Sequence, residues 1–129
     1  MSLGFSQIIA VMIGGALGAV ARFVFSLKLN EKMAGVFPYG TLGVNVIGSF
    51  LMGFFTVLLI DRFALGSLYR LAIMVGFLGA FTTFSTFSMD TLSLFDQGRY
   101  IQAIINVLSN VFLSVLAVFL GVILARTIP

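Results

Sequence analysis

Neutral polar side chains recur at every fourth position in two long apolar segments of the chain. They are Thr41, Asn45 and Ser49 in the first segment, and Gln102, Asn106, Asn110 and Ser114 in the second. Residues four apart follow one side of a helix as a slowly winding stripe. A single stripe is explained by hydrogen bonds between helices, which Asn and Ser often form within membranes. Two stripes that each run through much of a helix favour the wall of a transport path.

The chemistry of the stripes indicates which ion such a path would carry. Asn, Gln, Ser and Thr are neutral, and all of them can donate hydrogen bonds. No carboxylate lies deep in an apolar segment, because Asp61 ends the second segment and Asp90 and Asp96 follow the third. A cation path or a proton-coupled transporter usually places a carboxylate within the membrane. Donors without carboxylates therefore favour an anion.

The third apolar segment contains the unusual sequence GFLGAFTTFSTFS, residues 76–88. Gly76 and Gly79 add backbone freedom, and Thr82 and Thr83 can bond back to the preceding turn, so we expect the helix to break in mid-span. Non-helical backbone at that depth is tolerated where it is buried in protein or lines a cavity. The carbonyls that it releases can hold a cation.

Two phenylalanines and several hydroxyls follow the expected break. Phe84 and Phe87 are three residues apart on one helical face, and Ser85, Thr86 and Ser88 supply hydroxyl groups. An aromatic ring is positive at its edge, so a ring presented edge-on attracts an anion weakly. A weak contact suits a conducted ion, which must be able to leave. Ordinary packing or lipid contact is the alternative interpretation of these rings.

The composition predicts an integral membrane protein that is not an enzyme. The 129 residues are 60% hydrophobic and 9% charged, with a mean hydropathy of +1.20, whereas about a quarter of the residues of a soluble domain are charged. Cysteine and histidine are absent from the sequence, which excludes thiolate and imidazole chemistry. The small net charge of +3 argues against a nucleic-acid partner.

Four uncharged stretches, residues 4–21, 33–60, 71–89 and 100–125, are each long enough to cross a membrane. They predict one all-α domain over residues 1–129, with spans at about 4–29, 39–61, 68–95 and 99–126. The short connections make consecutive helices antiparallel neighbours. Gly14 and Gly18 form a GxxxG motif in the first span, which we interpret as helix packing.

The seven basic residues are divided almost equally between the two membrane faces. Arg62, Arg70 and Arg126 lie on one face, and Arg22, Lys28, Lys32 and Arg99 lie on or towards the other. The positive-inside rule then favours neither orientation. Two oppositely inserted copies could pair as an antiparallel, dual-topology homodimer; the alternative is that a weak bias still fixes one orientation.

The third-span sequence, together with GTLGVNVIGS in the second span and GALGAVARF in the first, resembles the small fluoride channels called Fluc or CrcB. The resemblance covers essentially the whole chain. It implies a dual-topology homodimer of two antiparallel four-helix subunits, with two fluoride pores and a structural sodium ion at its centre. It also implies a multi-pass protein of the bacterial inner membrane that exports fluoride passively from the cytoplasm, with fluoride, lipid and a second copy of itself as partners.

The same resemblance assigns roles to individual residues. Backbone carbonyls of Gly79 and Thr82 would face the sodium ion, and Arg22 and Asp90 would lie at the pore vestibule. The implied fluoride pore consists of Phe84, Phe87, Asn45, Thr41, Ser85, Thr86, Asn110 and Ser114. In the fourth span Asn110 and Ser114 fall where the family places a polar track of hydroxyl residues, and Asn106 falls where it places a tyrosine in some members, so the two asparagines depart from its pattern.

Two alternatives to a channel belong to other functional classes. A proton-coupled small multidrug exporter is also a four-span dual-topology dimer, but it needs a membrane-embedded carboxylate that residues 4–21 do not contain. A non-transporting assembly subunit would use the polar stripes only for helix packing and would require a different partner protein.

Overall fold

The computed structural model describes residues 4–129, which form helices and contain no β-strand; residues 1–3 of the predicted domain lie outside the described part. The four long helices are α1 (Phe5–Met33), α2 (Tyr39–Arg62), α3 (Ser67–Asp96) and α4 (Tyr100–Thr127). All four are apolar, and the shortest has 24 residues, about 36 Å of helix against a hydrocarbon core of about 30 Å. The prediction of an all-α, multi-pass membrane protein is confirmed.

Two of the helices are not uniform along their length. Helix α2 is α-helical over Tyr39–Phe55 and π-helical over Thr56–Arg62. Helix α3 contains Ser67–Arg70, a π-helical segment Leu71–Leu78, the single turn Gly79–Phe81 and a longer α-helical stretch Phe84–Asp96. We call residues 67–81 the first half of α3 and Phe84–Asp96 its second half.

The backbone between the two halves of α3 is extended. Thr82 has φ −86° and ψ 158°, and Thr83 has φ −153° and ψ 120°. The first half packs mainly on α1, whereas the second half packs mainly on α4, and α2 also packs along α4. The extended residues thus stand where α3 passes from one neighbouring helix to another.

Small residues allow this close packing. A Cβ atom added at Gly14 would overlap the carbonyl oxygen of Ala72, and one added at Gly18 would overlap the carbonyl oxygen of Phe77. The GxxxG motif of α1 therefore lies against the first half of α3. Gly53 of α2 and Gly121 of α4 allow those two helices to pack closely in the same way, because each glycine lies against the backbone of the other helix.

Candidate functional site

The extended segment of α3 is held by the side chain of Asn45 from α2. The Thr83 N–H donates to Asn45 Oδ1 at 2.8 Å, and Asn45 Nδ2 donates to the Thr83 carbonyl at 3.0 Å. One primary amide thus satisfies both backbone groups of Thr83. In an uninterrupted α-helix the Thr83 N–H would instead donate to the carbonyl of Gly79, four residues earlier. The Gly79 carbonyl is therefore without its usual helical donor.

Thr83 also caps the second half of α3. Its Oγ1 accepts a hydrogen bond from the Thr86 N–H at 3.1 Å, as a threonine at a helix N-terminus commonly does. In an uninterrupted helix that N–H would donate to the carbonyl of Thr82. The Thr82 carbonyl thus loses its usual donor as well, while the Thr82 N–H still donates to Leu78 at 3.1 Å. These two carbonyls belong to the residues for which the sequence predicts a cation role.

A chain of amide side chains connects Asn45 to the fourth helix. Asn45 Nδ2 also donates to Asn110 Oδ1 at 2.9 Å, and Asn110 Nδ2 donates to both Asn106 Oδ1 and the Asn106 carbonyl, each at 3.0 Å. Asn106 Nδ2 then donates to Thr91 Oγ1 at 2.9 Å, and the Thr91 hydroxyl donates to the Phe87 carbonyl at 2.8 Å. The polar stripes of α2 and α4 therefore meet each other and the second half of α3.

The α4 members of the amide chain are buried, because Asn106 is 0% exposed and Asn110 is 5% exposed, whereas Asn45 is half-buried. Both protons of the Asn45 and Asn110 amides have acceptors within the protein. Buried polar groups in hydrocarbon need such partners. For these side chains, hydrogen bonding between helices accounts for the stripe pattern.

A cavity of about 330 Å³ lies beside this chain. We call it the phenylalanine cavity; its polar and aromatic lining consists of Asn45, Ser49, Thr82, Thr83, Phe84, Phe87, Asn110 and Ser114. The Ser114 Oγ atom is buried and has no hydrogen-bond partner among residues 4–129. A buried hydroxyl without a partner costs about 1 to 3 kcal/mol. Ser114, a residue of the cavity wall, therefore carries one hydroxyl proton without an acceptor in the described part of the chain.

The two phenylalanines of α3 border this cavity with very different exposure. Their ring centroids are 5.2 Å apart at an interplanar angle of 61°, an edge-to-face pair. Phe87 is 7% exposed, whereas Phe84 is 77% exposed. A single subunit thus encloses one ring and leaves the other on its outer surface.

A second cavity, of about 240 Å³, lies between α1, α2 and the start of the second half of α3. We call it the arginine cavity, because Arg22 lines it together with Ser26, Thr41 and Thr86. Thr83 lines both this cavity and the phenylalanine cavity. The half-buried Arg22 provides the only positive charge on the walls of either cavity within the described part of the chain.

The remaining predicted residues, Thr41, Asp90 and Ser85, make side-chain contacts near the start of the second half of α3. Thr41 Oγ1 donates to Asp90 Oδ2 at 2.6 Å, so the carboxylate is held by α2. Ser85 Oγ lies 3.3 Å from Thr83 Oγ1. The structure thus brings Ser85 against Thr83 of the extended segment and Asp90 against Thr41 of α2.

Sequence reasoning missed two residues that join these parts. Thr83 was singled out only as a helix-weakening residue, although Thr is a preferred N-cap type and Thr83 stands three residues before Thr86. Thr91 was not singled out; its spacing of four from Phe87 is the available signal. Thr91 ends the amide chain that starts at Asn45.

A metal held by side chains does not fit this site. Within residues 4–129 no three His, Cys, Asp or Glu side chains lie close enough to hold a metal ion. Released carbonyls are the alternative, and unwound backbone carbonyls are known ligands of Na⁺ in membrane proteins. The carbonyls of Gly79 and Thr82 have the required chemistry.

Comparison with known proteins identifies the family. Residues 9–122 match the model of the CrcB-like protein family, Camphor Resistance (CrcB). A protein of Methylococcus capsulatus is 53% identical over 93% of this chain, but the chain spans only 53% of that longer relative. Proteins of Magnetococcus marinus and Legionella pneumophila are 47% and 45% identical, over 95% and 92% of this chain and 99% and 88% of their own lengths. All three relatives bear the name fluoride-specific ion channel FluC. With a family match across most of its length, this chain belongs to the CrcB-like family.

Proposed function

We propose that this protein is a passive, fluoride-selective ion channel that exports fluoride from the cytoplasm across the cell membrane. The observation that carries the proposal is the phenylalanine cavity, in which the partnerless Ser114 hydroxyl lies near the buried Phe87 and no carboxylate lines the wall. The names of the relatives agree, and one of them matches this chain over 99% of its own length.

The chemistry of the phenylalanine cavity suits a small, strongly hydrated anion. The Ser114 hydroxyl has a proton to donate, and a hydrogen bond to an ion is worth about 1.5 to 3 kcal/mol. The edge of an aromatic ring adds a weak attraction for negative charge. Because neither group carries a full positive charge, the anion is attracted without being trapped.

The arginine cavity supplies the attraction that the neutral cavity lacks. The Arg22 guanidinium raises the local concentration of anions at the mouth of the path. Thr83 lines both cavities, so an anion that moves between them passes its hydroxyl. Thr86 and Ser85 extend the hydroxyl groups at this point. Asp90 lies at the vestibule and is held by Thr41.

The third helix is broken in mid-span, and the break provides a site for a structural sodium ion. The extended backbone at Thr82 and Thr83 is the observation that supports this part of the proposal. The carbonyls of Gly79 and Thr82 would hold this ion, and its positive charge would stabilise the break. Two carbonyls are too few to replace the hydration shell of a cation, which prefers several oxygen ligands. A second subunit that contributes the same pair would complete the site.

An antiparallel homodimer with one pore on each side of its central axis satisfies these requirements. The almost equal distribution of basic residues between the two faces permits both orientations. Gly79 and Phe84 are exposed on one subunit, and a second copy would cover them. The outward apolar faces of α1 and α4 would then contact lipid.

Fluoride efflux from proteoliposomes tests the function. Purified protein should release fluoride rapidly when valinomycin provides a compensating potassium current, and slowly without it, because the flux is electrogenic. Chloride in the same liposomes should remain inside. Equal release of both anions, or no release of either, would refute the proposal; drug-driven proton movement would instead support an exporter.

Orientation requires a separate measurement. A single cysteine placed at Gly35, where the structure has no neighbouring atoms within 4 Å of an added side chain, should react from both sides of intact vesicles with a membrane-impermeant reagent. Reaction from one side only would contradict the antiparallel dimer while leaving the flux result intact.

A further inference from the structure

The Thr83 N–H has two possible acceptors, and only one of them leaves the proposed cation site open. In the observed structure it donates to Asn45 Oδ1 at 2.8 Å. The alternative acceptor is the Gly79 carbonyl, which this N–H would meet in an uninterrupted α-helix. If the N–H turned to Gly79, that carbonyl would be engaged inside the helix and less available to a cation.

We propose that Asn45 is a positioning residue for the cation site: by accepting the Thr83 N–H, it keeps the Gly79 carbonyl free. The inference rests on the sodium site of the proposed function and adds to it the residue that maintains one of its ligands. Asn45 does not touch the ion in this proposal. It acts through the backbone of Thr83.

The geometry around Asn45 fits this role. Its amide accepts from the Thr83 N–H and donates to the Thr83 carbonyl, so it replaces partners on both sides of one extended residue. The second Nδ2 proton donates to Asn110 Oδ1 at 2.9 Å, which fixes the orientation of the amide. Rotation of the amide would place its nitrogen against the Thr83 N–H, a contact between two donors.

Close approach of the two helices is needed for this contact. A Cβ atom added at Gly48 of α2 would overlap Thr82 Cγ2. Gly48 is one helical turn from Asn45, so the absence of a side chain there lets α2 approach the extended segment. Without that approach the short Asn45 side chain would not reach Thr83.

Two substitutions at position 45 distinguish the role of the acceptor oxygen of the amide from the role of its donor nitrogen. Asn45→Ala removes the acceptor, so the Thr83 N–H turns to Gly79 and sodium affinity falls about 10- to 100-fold, as for other residues that orient metal ligands. Asn45→Asp keeps the oxygen that accepts the Thr83 N–H, so sodium affinity is retained; its second carboxylate oxygen faces the Thr83 carbonyl and Asn110 Oδ1, where Nδ2 donated, so the variant is less stable than the wild type. The added negative charge of this variant repels fluoride, so its flux falls.

Asn30→Ala is a matched control. Asn30 Oδ1 accepts the Gly40 N–H at 2.7 Å, a bond of the same kind as that between Asn45 and Thr83 but at the N-terminus of α2. The substitution removes one hydrogen bond that a backbone N–H donates to an asparagine side chain elsewhere in the fold. We expect it to reduce stability less than Asn45→Ala, which removes three bonds, and to leave sodium affinity unchanged.

The experiment measures sodium-dependent thermal stability of purified protein in detergent, with potassium or N-methylglucamine as the replacement cation. The midpoint of the sodium response should shift about 10- to 100-fold upwards in Asn45→Ala and remain in place in Asn30→Ala. The ¹³C chemical shift of the Gly79 carbonyl provides an independent readout, because it changes when that carbonyl accepts a hydrogen bond.

The outcomes distinguish the inference from the function on which it rests. An unchanged sodium midpoint in Asn45→Ala, or an unchanged Gly79 shift, overturns the inference and leaves the sodium site standing. A wild-type protein without any sodium response refutes the site itself, and the inference with it. If Asn45→Ala does not fold, Asn45→Asp decides: loss of the sodium response in that variant also overturns the inference.

Discussion

Replacement of Asn110 with leucine, which has nearly the same shape, should destabilise the protein measurably. The change removes three hydrogen bonds: one from Asn45 Nδ2 and two to the Oδ1 and carbonyl oxygens of Asn106. The Asn106 carbonyl retains its helical donor, but the Asn45 proton and Asn106 Oδ1 lose their partners. Asn106 is 0% exposed, so water cannot replace the missing donor at that atom.

The expected magnitude follows from these two abandoned atoms. Hydrogen bonds between membrane helices contribute about 0.6 kcal/mol on average and up to about 1.7 kcal/mol, and an unsatisfied buried group in a soluble protein costs about 1 to 3 kcal/mol. We therefore expect Asn110→Leu to lower the free energy of unfolding by about 1 to 3 kcal/mol. Unfolding in mixed micelles with increasing dodecyl sulfate, followed by circular dichroism, measures this difference.

Ser109→Ala is the matched control on the same helix. The Ser109 hydroxyl bonds only within α4, to the carbonyls of Ile105 and Asn106, so its removal should change stability by less than about 0.5 kcal/mol. A double-mutant cycle of Asn106→Leu with Asn110→Leu should give a coupling of about 0.5 kcal/mol or more, because the two side chains share one bond. Equal stability of the Asn110 and Ser109 variants, or additivity in the cycle, would refute the amide chain.

Three further predictions concern the cavity and the helix contacts. Ser114→Ala should reduce fluoride flux from proteoliposomes by about tenfold or more, the value of one hydrogen bond to an ion, without loss of stability, since the hydroxyl has no protein partner; lower stability with normal flux would contradict this. Phe84→Ile and Phe87→Ile should both reduce fluoride flux. Only Phe87→Ile should also lower the free energy of unfolding, by about 1 kcal/mol, because only Phe87 is buried; a larger loss of stability in Phe84→Ile would contradict this. Gly18→Ala should lower the yield of folded protein in size-exclusion chromatography by overlap with the Phe77 carbonyl, whereas Gly35→Ala, which meets nothing within 4 Å, should not; equal yields would argue against the close contact of α1 with α3.

The four helices were predictable because hydrocarbon imposes a simple rule on sequence. A spanning segment must be long and uncharged, and charges such as Arg22, Asp61 and Arg99 interrupt the apolar pattern near the ends of segments. The GxxxG motif likewise identified a packing face on α1. The motif could not identify α3 as the neighbouring helix, because small residues indicate that a helix packs closely but do not indicate which helix it packs against.

The predicted site was harder to resolve, because spacing defines a face but not the partners of that face. Asn45, Asn106 and Asn110 share the expected stripes, yet nothing in their spacing shows that their protons are used by one another and by Thr83. Phe84 and Phe87 are three residues apart, yet one is 77% exposed and the other 7%. The difference in exposure between the two rings depends on how the second half of α3 packs against α4.

In the proposed pore, the amides of Asn45 and Asn110 and the hydroxyl of Ser114 would have different roles. An amide has two donor protons and one acceptor oxygen in fixed directions, so an asparagine can join two helices and still satisfy an extended backbone, as Asn45 does at Thr83. A hydroxyl has one rotatable proton, so a serine can keep that proton available for a passing ion, as Ser114 does in the phenylalanine cavity. In that pore, Asn110 would hold the wall together and the neighbouring Ser114 would contact the ion. This difference explains why an asparagine in a polar track of hydroxyl residues need not abolish conduction. The asparagine would hold the pore wall in place, and the neighbouring serine hydroxyl would still donate to the anion.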